Sequence, residues 1–253
     1  MSKLFAVCGS PHSGKTTAAL KIAQEIYRSE KGASVVYLSP DQKTPSLGYL
    51  FPNCRDSDLR SLGAALDKTD IFKEDVIRQF VNTKTMLNFA FLGFKLGENR
   101  YSYPVFTDDK VSQFISALKD TADYIVIDCT CSDGDLLSRI GKRDCDAAVQ
   151  LFNPDIRSMV YYASCVNEFV PIERKKLKVM NVRENGLCFP IEETKAHFGE
   201  PDVVLPYSLP LRQQMITGTL SEVLRDGKYT KAVSKIVKAL TGMPSDADEA
   251  KVE

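Results

Sequence analysis

Residues 3–32 read KLFAVCGSPHSGKTTAALKIAQEIYRSEKG. KLFAVC is a short apolar run without helical period, and Gly9 ends it. From Thr16 onward, apolar residues recur at Ala19, Ile22, Ala23 and Ile26, the three-and-four spacing of a helix that stops at Gly32. ASVVYLS (33–39) then reads as a second buried strand. The intervening length suits only a crossover, so the two strands pair in parallel and the sheet begins with a βαβ unit. Between the first strand and the helix stand Gly9, Ser10, Pro11, His12, Ser13, Gly14, Lys15 and Thr16, which satisfy G-x-x-x-x-G-K-[ST] in the context that motif requires. The glycines let backbone N–H groups converge on phosphate oxygens, and the helix start adds its positive dipole end. Lys15 is placed to neutralise the β and γ phosphates, Thr16 to offer a hydroxyl oxygen to Mg2+, and Thr17 to reach the α phosphate. The loop therefore predicts nucleotide binding.

Strand-like and helix-like runs alternate through the rest of the chain. Helices are expected at 57–66 and 72–82, a strand at 87–94 and a helix at 108–120. They are followed by strands at 123–129 and 147–152, a helix at 156–169, and strands at 177–182 and 202–207. Near-continuous Val, Ile and Leu runs mark strands covered on both faces. The expectation is an α/β fold, a doubly wound and mostly parallel sheet with helices on both faces. It forms one domain over 1–241, with a polar, disordered tail at 242–253.

The chain has 253 residues and is 43% hydrophobic, enough for one sizeable core. Its 33 basic and 33 acidic residues leave no net charge, so nothing global points to DNA or an anionic membrane. The longest apolar stretch, MLNFAFLGF (86–94), is far short of a bilayer span, and LFAVC is too short for a signal-peptide core; a cytoplasmic location is expected. Seven cysteines without regular spacing suit reduced thiols rather than a disulfide scaffold.

Two acids stand where the phosphate loop needs them. Asp128 ends the strand DYIVIDC, at the carboxyl edge where α/β sheets place ligands, and can hold a water on Mg2+. Asp41, in LSPDQKTPSLG, follows the second strand at the same edge and can position an attacking water or a metal water; an Asp turn after Pro40 is the alternative. Lys15, Asp41 and Asp128 are the catalytic candidates, and Thr16, Asp41 and Asp128 the metal candidates.

With these residues in view, the chain resembles the ParA/MinD class of P-loop ATPases over about 1–240. The resemblance is carried by CGSPHSGKTT, LSPDQKTPSLG, DYIVIDC and KVMNVRENG, and continues through FNPDIRSM (152–159) and VVLPYSLPLRQQMITGTL. It implies ATP and Mg2+ as cofactors, a mostly parallel sheet of seven or eight strands, an ATP-dependent homodimer and a protein partner. It also implies that Asn181 hydrogen-bonds the adenine and that Pro206 and Tyr207 line the base pocket. Ser10 departs from the class, whose signature lysine follows the first loop glycine and reaches across a dimer. A serine is uncharged and too short for that. In this the sequence is similar to atypical members of the class such as the TadZ/CpaE proteins; Lys142 and Arg143 are the nearest substitute cations in sequence.

Other features have structural readings. Within the loop His12 is a spacer, because Mg2+ favours oxygen ligands. Cys129 and Cys131 form a lone C-x-C pair, a weak metal signal. TKAVSKIVKAL (230–240) is amphipathic, but its apolar face is small and an acidic tail follows, so it is expected to pack on the sheet rather than anchor to a membrane. ERKKLK (173–178) reads as a solvated edge before DNA backbone contact. Three functions remain open: an ATP-driven positioning or partitioning switch with slow hydrolysis, an ATP-loaded scaffold that does not cycle, and a small-molecule ligase or kinase resembling dethiobiotin synthetase.

Overall fold

The computed structural model describes residues 2–132, 134–182 and 191–243. The opening unit is as predicted, with β1 (Lys3–Gly9), α1 (Lys15–Ser29) and β2 (Val35–Ser39). Then come α2 (Ser46–Leu50), α3 (Leu62–Leu66), α4 (Lys73–Ile77), β3 (Val81–Thr83) and β4 (Met86–Gly93). The middle of the chain holds α5 (Asp108–Lys119), β5 (Tyr124–Asp128), α6 (Leu136–Asp144), β6 (Ala147–Phe152), α7 (Ile156–Ser164) and α8 (Val166–Phe169). It closes with β7 (Lys176–Asn181), α9 (Ile191–Phe198), β8 (Val203–Leu205), α10 (Leu209–Thr217) and α11 (Gly227–Gly242). The tail beyond 243 lies outside the described residues.

Four expected elements differ. At 57–66 a single 3-10 turn comes first, and α3 starts afresh where the Ser61 hydroxyl accepts the Gly63 N–H. The helix expected at 72–82 stops at Ile77, because Val81 and Asn82 pair antiparallel with β4 across a tight reversal. The helix at 156–169 breaks at Cys165 into α7 and α8. The last strand is shorter than 202–207, since Pro206 has no N–H for the ladder.

Eight strands form one sheet in the order β3-β4-β2-β5-β1-β6-β7-β8, parallel throughout except for β3. Alternation along β1 sends Leu4, Ala6 and Cys8 to one face and Phe5 and Val7 to the other. On the first face they meet α3, α5 and α6 through Leu62, Phe114, Leu118 and Ile140. On the second they meet α1 and α11 through Ala19, Ile22, Ile236 and Leu240. Two cores thus sandwich a sheet whose central strands see no water. The amphipathic α11 buries Ala232, Val233, Ile236, Val237 and Leu240 here, as a sheet-packed helix. No described helix is long and apolar enough to cross a membrane.

In the 173–178 run Glu173 and Arg174 are exposed, while Leu177 is buried. Lys175 donates to the Arg143 and Cys145 carbonyls, Lys178 to the Phe198 carbonyl, and Lys176 pairs with Glu173. Cys8, Cys54, Cys129 and Cys131 are free thiols.

Candidate functional site

Because the strands are parallel, β1, β2, β5, β7 and β8 all deliver their last residues to one edge. A cavity of about 830 Å3 opens there. One wall is the loop from β1 to α1. A side chain at Gly9 would come within 2.5 Å of the Leu151 carbonyl, and one at Gly14, whose φ is +90°, within 2.5 Å of Asn181 Nδ2. His12 at the loop crest has φ 59°, a left-handed turn that non-glycine residues rarely take. The residue lines the cavity and is a strained corner of the loop. The first helical bond of α1 runs from the Ala18 N–H to the Gly14 carbonyl, which leaves the amides of Lys15, Thr16 and Thr17 without backbone partners. No acid sits in that first turn and no side chain caps it, so the amides and the dipole face the cavity unopposed.

Lys15 Nζ donates to the Ser10 carbonyl at 2.9 Å and to Cys131 Sγ at 2.9 Å, while the Cys131 thiol donates to the Gly9 carbonyl at 3.1 Å. Asp128 is 4% exposed; Thr16 hydrogen-bonds it, and Tyr37 donates to it at 3.1 Å. Burial lifts its pKa to about 6, against the lowering pull of Thr16, Lys15 and Tyr37. Tyr49, from α2, hydrogen-bonds Thr16, and burial chiefly raises its phenol. Asp41 Oδ1 accepts the Lys43 and Thr44 N–H groups in a turn, the alternative weighed for it, and the residue also lines the cavity.

Asn181 is 9% exposed, and its Nδ2 donates to the Ser13 carbonyl at 2.8 Å, so it braces the loop from beneath while lining the cavity. Pro206 and Tyr207 join it on the far wall. Residues 183–186, which complete the KVMNVRENG segment, lie outside the described residues. Arg212, Met215, Leu220 and Tyr229 also line this end, and Thr17 donates to Met215 Sδ at 3.5 Å.

Ser10 does not face the cavity. It is 2% exposed, and its hydroxyl shares a 2.8 Å hydrogen bond with Ser158 of α7, which also accepts the Asn153 N–H. Nor do Lys142 and Arg143 substitute for a cation at this edge. Lys142 pairs with Glu168 and Arg143 with Asp144, at the far end of α6, and neither lines the cavity. Sequence reasoning missed Tyr49 and Arg212, which tertiary folding alone brings here.

The residues fit a nucleotide with a hard cation. Unpaired amides and Lys15 suit phosphates, and the Thr16 hydroxyl and the Asp128 carboxylate are oxygen donors in mutual contact. Among the described residues no three His, Cys, Asp or Glu side chains form a group that could hold a metal ion.

No protein-family model matches the sequence, and no curated protein matches it. The fold is nevertheless that of the MinD and ParA P-loop ATPases. The structure is similar to the cell division ATPase MinD of Pyrococcus furiosus, with a TM-score of 0.72 and 18% identity over 96% of this chain and 100% of that one. It is similar to a ParA family ATPase from Chlorobium tepidum TLS, with 0.71 and 13% over 94% and 98%. It is also similar to the septum site-determining protein MinD of Pyrococcus horikoshii complexed with Mg-ADP, with 0.69 and 17% over 96% and 97%.

Proposed function

We propose that this protein binds ATP with Mg2+ and acts as a positioning or partitioning switch of ParA/MinD type with slow basal hydrolysis. The observation that carries the reading is the meeting of Lys15, Thr16 and Asp128 with three unpaired amides at the carboxyl edge of a parallel sheet. MinD bound to Mg-ADP on the same fold supports the choice of cofactor. Bound here, Mg2+ would offset phosphate charge. Lys15 would leave Ser10 and Cys131 for the phosphates, Thr16 and Asp128 would hold the cation, and Asn181, Pro206 and Tyr207 would receive the base. Asp41 has one oxygen fixed by its turn and the other left to orient a water. A non-cycling scaffold is the second reading, favoured by the burial of Ser10 against Ser158, which leaves the loop without the cation its class uses in trans.

Mg·ATP should raise the melting temperature well above that of the apo protein, by mass action on the folded state. Lys15→Ala should lose most of that shift in thermal denaturation. Equal or greater stabilisation by GTP would contradict the adenine end assigned to Asn181 and Tyr207.

A further inference from the structure

FNPDIRSM (152–159) carries part of the family likeness but lines no part of the cavity, and it leaves the sheet beside Asn181. In the parallel ladder of β6 and β7 the Ala148 N–H meets the Lys175 carbonyl, and the register holds through Phe152 and Met180, so donor and acceptor advance together two residues at a time. That series reaches the Asn181 carbonyl at Pro154, which has no N–H to give. The preceding side chain takes over: Asn153 Nδ2 donates to the Asn181 carbonyl at 2.8 Å. Asn153 is 4% exposed, and its own N–H donates to the Ser158 hydroxyl at 3.0 Å, which fixes where the residue sits. Asn181 in turn places its amide between the Ser13 carbonyl, at 2.8 Å, and the cavity that it lines.

We propose that Asn153 is a positioning residue for the nucleotide base, its side-chain amide fixing the main chain of Asn181 and so the reach of the Asn181 side chain into the base end of the cavity. This rests on the adenine reading of Asn181 given above. A carbonyl at a strand end either finds a donor or turns to water, and the turn takes its residue with it. A shift of about half an ångström at Asn181 is enough to carry its amide out of hydrogen-bond range of a bound base. The competing account is that the Asn153 bond only finishes the sheet.

The test is isothermal titration calorimetry with ADP and with inorganic pyrophosphate, both in Mg2+, on wild type, Asn153→Ala, Asn153→Leu, Asn181→Ala and the double variant of Asn153→Ala with Asn181→Ala. Pyrophosphate presents phosphates without a nucleoside, so the ratio of the two affinities reads the base end alone. Asn153→Ala should weaken ADP about five- to tenfold, the worth of one hydrogen bond to the base, and leave pyrophosphate unchanged. Asn153→Leu keeps the shape of the side chain without a donor and should do the same, which covers an Asn153→Ala protein too unstable to titrate. In the Asn181→Ala background Asn153→Ala should change the ratio no further, because the group it positions has gone. Equal losses for ADP and pyrophosphate, or no loss for either, would make Asn153 a sheet-finishing residue and overturn the proposal. A full second loss of the ratio in the double variant overturns it too. In each of these cases a lowered ratio in Asn181→Ala leaves the adenine reading standing. An Asn181→Ala protein that keeps the wild-type ratio defeats that reading and the proposal with it, and wild type that binds neither ligand defeats nucleotide binding itself.

Discussion

At position 10 the side chain is turned inward, where the class places a lysine that reaches outward. The Ser10–Ser158 bond ties the phosphate loop to the first turn of α7, whose own start is capped by Asp155. Ser10→Lys would break that tie and force a long charged chain out of a closed site. The expected result is a loss of about 1–3 kcal/mol in urea unfolding, with no gain in basal ATP turnover. Faster hydrolysis at unchanged stability would show that a lysine reaches the cavity after all. The loop residues were legible in sequence because their chemistry is local, with glycines, lysine and threonine acting through adjacent backbone. Asp128 was legible from its place at a strand end. Tyr49 and Arg212 were not, since each arrives from a helix whose path depends on packing.

Among the elements, α1 does two jobs. Its first turn faces the cavity, and a turn later Lys21 secures the opposite wall, donating to the Leu220 and Glu222 carbonyls at 2.8 and 2.9 Å and to Gln24 at 3.1 Å. Gln24 adds a bond to the Ser221 carbonyl. Burial is the main effect on Lys21 and lowers its pKa to about 7, with Glu222 opposing. Between pH 7 and its ordinary value near 10.5 the unfolded chain therefore holds a proton that the folded chain lacks, so this lysine makes stability rise with pH across that window. Below pH 7 the burial penalty is complete and the slope ends. Urea unfolding at pH 7, 8 and 9 should show wild type gaining on Lys21→Met, by no more than about 1.4 kcal/mol per pH unit. A constant difference would mean that the three acceptors keep Lys21 charged. Elements with strong periods, such as α1, α5 and β5, were readable from sequence. The 46–83 region was not, because five-residue helices carry too little period to identify, and β3 exists only through its pairing with β4.

For the molecule as a whole, exposed apolar side chains stand on α7, at Ile156 and Val160, and on α10, at Met215 and Ile216. One helix is bonded to the loop between β1 and α1 and the other lines the cavity, so these exposed apolar side chains flank the cavity on two sides. Light scattering should give the 28.2 kDa mass of one chain in the apo state and twice that with Mg2+ and a non-hydrolysable ATP analogue, while Lys15→Ala stays at the single mass. A wild-type mass that ignores the nucleotide would contradict a nucleotide-driven dimer.

The two outer strands, β3 and β8, are only three residues long, although the strands inside them run to eight. A flat, long margin would recruit further chains through backbone pairing, an association without an off switch that ends in fibrils. Margins this short offer such growth almost no template, which leaves any contact between copies to side-chain surfaces, and those, unlike a strand ladder, can let go.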